Sequence, residues 1–141
     1  MALPPRVFCD TSFFYACLDT TDVHHPRAQA LVGEATATRV ALSTTWDVVS
    51  ETVTLLRYRV SYASALSFVD KLYPRLQLVQ YGAGVRVHAL DVFRRYSRDH
   101  RLSFCDAISF VVVTTLLDHM ACFAFDEVFR RLGLTVIAVP Q

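Results

Sequence analysis

The sequence predicts an α/β fold, a three-layer α/β/α sandwich around a five-stranded parallel sheet. Three observations predict it. Short apolar runs alternate with helical segments along the whole chain. The first run, Val7-Phe-Cys, is apolar without interruption, as a strand covered on both faces must be. Two runs end on or beside a carboxylate, Asp10 and Asp126, and in such sheets ligand chemistry belongs at the carboxyl ends of the strands. With 141 residues, 53% of them hydrophobic, the chain is long enough for one domain over 1–141 and too short for two ordinary ones. Four Gly and five Pro exclude a disordered or collagen-like chain.

The elements follow in order. Residues 6–10 form a short strand ending on Asp10, residues 11–18 a short helix, and Asp19-Thr-Thr-Asp22 a turn. Pro26 suits the first helical position of a segment reaching about Ala37. Residues 40–43 form a second strand. Thr44, with Asp47 three residues later, is expected to cap a helix reaching about Arg59. Residues 61–72 form a further helix closed by Pro74, and the alternating residues 76–80 a third strand. Residues 82–97 are helical, with Arg94, Arg95 and Arg98 near the end, where cations suit the helix dipole. Ser103 caps a helix over about 104–117. A fourth strand at 122–125, a short helix over 127–132 closed by Gly133, and a fifth strand at 135–139 complete the chain.

Fourteen cations against thirteen anions give a net charge of +1, so bulk charge does not announce a nucleic-acid partner and any bias must be local. Thirteen of those cations are Arg; Lys71 is the single Lys. The apolar stretch at the start is broken by Asp10, and the longest apolar run, between Asp106 and Asp118, is too short to span a bilayer. Cys9, Cys17, Cys105 and Cys122 form no CxxC pair and lie in apolar segments, which reads as reduced core thiols in a cytoplasmic protein without membrane association.

Four carboxylates stand out. Asp10 and Asp126 lie between strand and helix, where each is either an N-cap or part of a ligand site. Asp106 fits a capping box with Ser103, yet it shares a helical stripe with Phe110, Val113 and Leu117. Glu51 lies in mid-helix between Val48, Thr52 and Leu55, past any cap, where a buried unpaired carboxylate needs a partner. One cause accounts for all four. Clustered carboxylates repel unless a cation neutralises them, and an all-oxygen donor set without His or Cys suits Mg²⁺ or Mn²⁺. Such an ion suits phosphodiester hydrolysis.

These residues carry a resemblance. Val-Phe-Cys-Asp10-Thr-Ser12, His24-His25-Pro26-Arg-Ala, Glu51 within a helix, Leu102-Ser-Phe-Cys-Asp106-Ala-Ile-Ser, and Phe125-Asp126-Glu-Val-Phe129-Arg-Arg-Leu-Gly-Leu, in this order and spacing, resemble the PIN domain family, and within it the VapC ribonuclease toxins of VapBC toxin–antitoxin systems. The resemblance spans nearly the whole chain. It implies the strand order 3-2-1-4-5 and a Mg²⁺- or Mn²⁺-dependent endoribonuclease whose catalytic, metal-holding acids are Asp10, Glu51, Asp106 and Asp126. Ser12 falls at the family's small hydroxyl position and is expected to orient a ligand. Two positions depart from the pattern: Ala124 stands where Thr or Ser is frequent, and Val128 where some members carry a further acid. The implied partners are an RNA substrate (tRNA, rRNA or mRNA) and a cognate VapB-like antitoxin; a homodimer is also expected.

Arg94, Arg95, Arg98 and Arg101 form a basic cluster just before Asp106, either a solvated helix end or an RNA-binding phosphate track. His24 and His25, with Asp22 nearby, lack a third ligand at suitable spacing and read as structural or surface residues. An antitoxin helix or extended segment is expected against Phe13, Phe14 and Leu31, or against Tyr58, Tyr62 and Phe68. Other acid-at-strand-end folds fit less well. A receiver-like phosphoacceptor needs a Lys at a late strand end, whereas Lys71 precedes the third strand; a haloacid-type phosphatase needs Asp where Ser12 stands. A stand-alone or catalytically weak PIN-like RNA-binding protein is the remaining alternative.

Overall fold

The computed structural model describes residues 2–137. Four strands, β1 (Arg6–Cys9), β2 (Ala41–Thr44), β3 (Leu76–Leu78) and β4 (Cys122–Phe123), form one parallel sheet in the order β3-β2-β1-β4. Parallel neighbours require crossovers, and each crossover here is helical. Helices α1 (Thr11–Leu18) and α2 (His25–Ala37) link β1 to β2; α3 (Trp46–Arg59) and α4 (Tyr62–Ser67) link β2 to β3; α5 (Ala83–Tyr96) and α6 (Phe104–Thr115) link β3 to β4. A last short helix, α7 (Glu127–Arg131), follows β4 and ends at Gly133, whose φ of +91° is open to glycine without strain.

The fifth expected strand is only begun. Val136 makes an isolated parallel bridge to Cys122, with the Cys122 amide donating to the Thr135 carbonyl (2.8 Å) and the Ile137 amide to the Cys122 carbonyl (3.0 Å). The bridge lies on the β4 edge, as the order 3-2-1-4-5 requires, and positions 138 and 139 of that strand lie outside the described residues. Among the described residues the sheet has four strands and this bridge, where the sequence predicts five strands.

Several boundaries differ from expectation, and the third strand, expected over 76–80, ends at Leu78. The cap of α3 is Thr45, whose hydroxyl accepts from the Val48 amide (3.3 Å); Thr44 stays in β2 and donates its hydroxyl across the sheet to the Cys9 carbonyl (2.8 Å). The helix expected over 61–72 is α4 followed by a π-helical turn (Phe68–Leu72) and a 3₁₀ turn (Tyr73–Arg75). Pro74 has no amide hydrogen for a regular helix, and the widened turn lets Phe68 and Leu72 both reach the core. The fourth strand stops at Phe123, so two residues separate it from Asp126.

Val7, Phe8, Cys9, Cys122 and Phe123 are completely buried, which shows both sheet faces covered. Phe13 and Phe14 of α1 pack into the same core: Phe13 lies against Phe123 (centroids 5.0 Å apart) and Phe14 against Phe68 (5.2 Å). Helix α6 buries Ala107, Ile108, Ser109 and Val111 to Val113, more than one face, as a helix packed against both α5 and α3 must. This packing fixes the carboxyl edge of the sheet, where β1 runs into α1 and β4 into α7.

Candidate active site

A cleft of about 690 Å³ opens at that edge, and Asp10, Glu51, Asp106 and Asp126 all line it. Each acid arrives on a different element. Asp10 is the N-cap of α1, its amide donating to the Phe123 carbonyl of β4 (3.1 Å). Glu51 projects from the middle of α3. Asp106 closes the capping box of α6: its amide donates to the Ser103 hydroxyl (3.0 Å), and its Oδ2 accepts from the Ser103 amide (3.0 Å). Asp126 caps α7, its Oδ1 accepting from the Val128 amide (3.0 Å). Three of the four acids thus cap helices and also face the cleft. The structural and functional readings of these positions coexist.

Burial and mutual repulsion act on this group. Asp10 is 2% exposed, and burial, then the neighbouring charge of Asp106, push its carboxyl up to about 7 against two hydrogen bonds from Ser12 that favour the ionised form. Burial pushes Asp106 up to about 6, with Asp126 and Glu51 adding to the rise and Ser103 opposing it. The thiol of Cys105, expected in the core but half-exposed, is raised by burial and by the carboxylate of Glu51 beside it.

The donor set fits a hard divalent cation in its chemistry. All four groups are carboxylates, and Asp10 Oδ1 is buried with no hydrogen-bond partner. Among the described residues no three Asp, Glu, His or Cys side chains are gathered closely enough to form a cation cage as they stand. Asp10, Asp106 and Asp126 each accept a local backbone hydrogen bond, from Ser12, Ser103 and Val128.

Ser12 ties the site to the sheet. Its hydroxyl donates to Asp10 Oδ2 (2.8 Å) and accepts from the Phe125 amide (2.9 Å), so one side chain spans the ends of β1 and β4. Ala124 has no hydroxyl, and the Phe125 amide beside it is satisfied by Ser12. Val128 is buried with Phe129, in the core rather than the cleft.

The basic cluster is divided. Arg101 lines the cleft, but Arg94, Arg95 and Arg98 do not. Arg94 pairs with Asp91 (3.6 Å) on exposed surface, and Arg95 lies beside His88 and Tyr96 on α5. Tyr15 and Arg59, which sequence reasoning missed, also line the cleft, as does His24, which it read as a structural or surface residue. A signal for Arg59 was present: Glu51, Leu55 and Arg59 are four residues apart on α3 and share one face. His24 enters from the α1–α2 loop, where spacing carries no such information.

A parallel α/β sheet with carboxylates from four elements around a cleft at its carboxyl edge defines an acid-lined hydrolase-type site. The chain belongs to the PIN domain family, whose model matches residues 7–134. Its fold is similar to that of VapC20 from Mycobacterium tuberculosis, a sarcin–ricin-loop-cleaving toxin (25% identity, TM-score 0.81, covering 94% of this chain and 99% of that one). It is also similar to VapBC2 from Rickettsia felis, solved bound to a DNA fragment from its promoter (10% identity, TM-score 0.67, 94% of this chain and 97% of that one). No curated protein matches the sequence. The family is one of nucleases that generally use divalent metals. No helix among the described residues is long and apolar enough to cross a membrane.

Proposed function

We propose that the protein is a Mg²⁺- or Mn²⁺-dependent endoribonuclease and the toxin of a type II toxin–antitoxin pair. The observation that carries this reading is the convergence of Asp10, Glu51, Asp106 and Asp126 on one cleft. The likeness to a toxin that cleaves the sarcin–ricin loop supports RNA as the substrate and rRNA as the first to test.

In this reading the four acids hold the cation, with Asp10 and Asp106 at the buried floor and Glu51 and Asp126 at the walls. A bound divalent ion supplies Lewis acidity toward a phosphodiester and water. The chain's own residues do the rest. Ser12 holds Asp10 in one orientation by donating to Oδ2, which leaves the partnerless Oδ1 for a ligand. Arg59 and Arg101 place two permanent cations on an otherwise acidic cleft, where they hold the phosphates flanking the scissile bond.

A VapB-like antitoxin is the proposed partner, and the structure narrows its seat. Phe13, Phe14, Leu31 and Phe68, expected as possible walls, are buried in the core. Tyr58 and Tyr62 are exposed, as are Leu66 and Val69, so the α3–α4 face is where an apolar helix fits best. The decisive experiment digests total RNA with purified protein, with and without Mg²⁺ or Mn²⁺, and maps the ends. Metal-dependent cleavage at discrete sites, suppressed by the product of the adjacent gene, is expected. Absence of cleavage by the native protein in either metal would refute the nuclease reading; cleavage that no co-encoded partner suppresses would leave a stand-alone nuclease.

A further inference from the structure

Three rings run from the core to the rim of the cleft. Phe13 is fully buried; Phe125 lies against it (centroids 6.3 Å apart, planes 29° apart); His24 lies flat on Phe125 at 4.6 Å, the planes only 2° apart. His24 and Phe125 are half-buried, and with Asp126 they line both the acidic cleft and a small neighbouring depression of about 60 Å³. That depression carries Arg27 and Arg130. Glu127 lines the depression too and pairs with Arg130 (3.5 Å), so the paired rings form the divide between an acidic floor on one side and, on the other, Arg27 beside a neutralised pair.

We propose that His24 and Phe125 form a base-stacking seat that holds an unpaired nucleobase next to the scissile phosphate. This rests on the ribonuclease reading above. A strand whose scissile phosphate lies over Asp10 and Asp106 crosses the ring pair on leaving the cleft, and its next phosphate reaches Arg27. The seat is held in register with the acids, because the Phe125 amide donates to Ser12 Oγ and Ser12 Oγ donates to Asp10. Every base has a π face, so stacking tolerates sequence but demands a base free of its helix.

The test uses Asp10→Asn protein, to prevent cleavage, and a single-stranded RNA 10-mer with 2-aminopurine placed at successive positions. Stacking on an aromatic ring quenches that base. One position is expected to be quenched on binding; adding His24→Ala is expected to abolish the quench and weaken binding about 10-fold, the scale of one lost base–aromatic stack. His24→Phe restores both, whereas His24→Leu, apolar and of similar bulk, does not. Thermal melting of each variant identifies any that misfolds, and the Phe and Leu variants keep the comparison decisive if the Ala variant does. Equal binding and quenching in the His24→Leu and parent proteins, with RNA cleavage by the native protein intact, overturns the seat and leaves the nuclease standing. Failure of the native protein to cleave RNA, with no RNA bound by the parent, overturns both.

Discussion

Along the first strand Val7, Phe8, Cys9 and the following Asp10 are buried to nearly the same degree, from 0% to 2% exposed, yet burial acts on them in opposite directions. For Phe8, removal from water is the main favourable contribution to folding. For Asp10 the same removal disfavours the charged form and holds the carboxyl up near 7. The apolar floor is where the molecule gains its stability, and the cleft directly above it is where some is lost. The close packing of Phe8, Phe13 and Phe123 beneath is what keeps repelling carboxylates in place.

The largest expected effect tests the floor. Phe8→Ala removes a fully buried ring from the central strand and should destabilise the fold by about 3–5 kcal/mol, read from denaturant unfolding. A loss below about 1 kcal/mol would mean that β1 is not the centre of the core. Asp10→Asn, two residues on, should do the reverse. It is nearly isosteric and removes a buried charge, so the melting midpoint without metal should hold or rise. RNA cleavage should fall at least ~10²-fold, the scale of losing a key electrostatic group. Asp106→Asn should behave alike. Full activity in both variants would sink the site assignment.

Acidity and metal sharpen the same contrast. Asp10 and Asp106 carry folded pKa values raised to about 7 and about 6, from 3.8. Between those limits the folded state binds more protons than the unfolded one, so stability falls as pH rises. In EDTA the melting midpoint should therefore climb as pH is lowered from about 8 toward about 5, and the climb should shrink in Asp10→Asn. Saturating Mn²⁺ or Mg²⁺ should stabilise the protein at pH 8, by about 2.7 kcal/mol at 100-fold excess over Kd, and should flatten the slope by keeping both acids ionised. Glu51→Gln should blunt that response. Identical melting with and without metal, in native and variant protein alike, would count against a shared cation site.

The floor was more legible in the sequence than the cleft. Uninterrupted apolar runs at Val7-Phe-Cys and helical spacing through α6 reflect burial, which acts on residue type directly. Asp10, Glu51, Asp106 and Asp126 were legible because carboxylates in apolar surroundings need a reason. The resemblance to the PIN family then gave the strand order. What spacing could not convey was which side of a helix end a side chain leaves by. Of the six residues expected as antitoxin walls, Phe13, Phe14, Leu31 and Phe68 are therefore found buried, Phe68 at the start of the π-helical turn, while Tyr58 and Tyr62 stand outside. His24 reads in sequence as a structural or surface residue for the same reason, since its place depends on a loop that lays it on Phe125. Of the expected fifth strand at 135–139, the described residues show a single parallel bridge at Val136, on the β4 edge where the strand order puts it.

The smallest effect concerns two arginines that look equivalent in sequence. Arg95 and Arg101 belong to one basic cluster, but only Arg101 lines the cleft; Arg95 sits along α5 beside His88 and Tyr96. A phosphate contact on single-stranded RNA contributes about 0.7 to the slope of log K against log salt. Arg101→Ala, measured in Asp10→Asn protein by fluorescence anisotropy over a salt series, should reduce that slope by about this amount and weaken binding at low salt. Arg95→Ala should leave slope and affinity within error of the parent, because a cation beyond the cleft is screened within a Debye length of about 10 Å at 0.1 M salt. Neither change should move the cleavage site, since phosphate contacts position the strand without reading its bases. Equal slope losses in the two variants would extend the RNA path along α5 and away from the His24–Phe125 divide. A loss for Arg95 alone would reverse the assignment of the cleft's cationic wall.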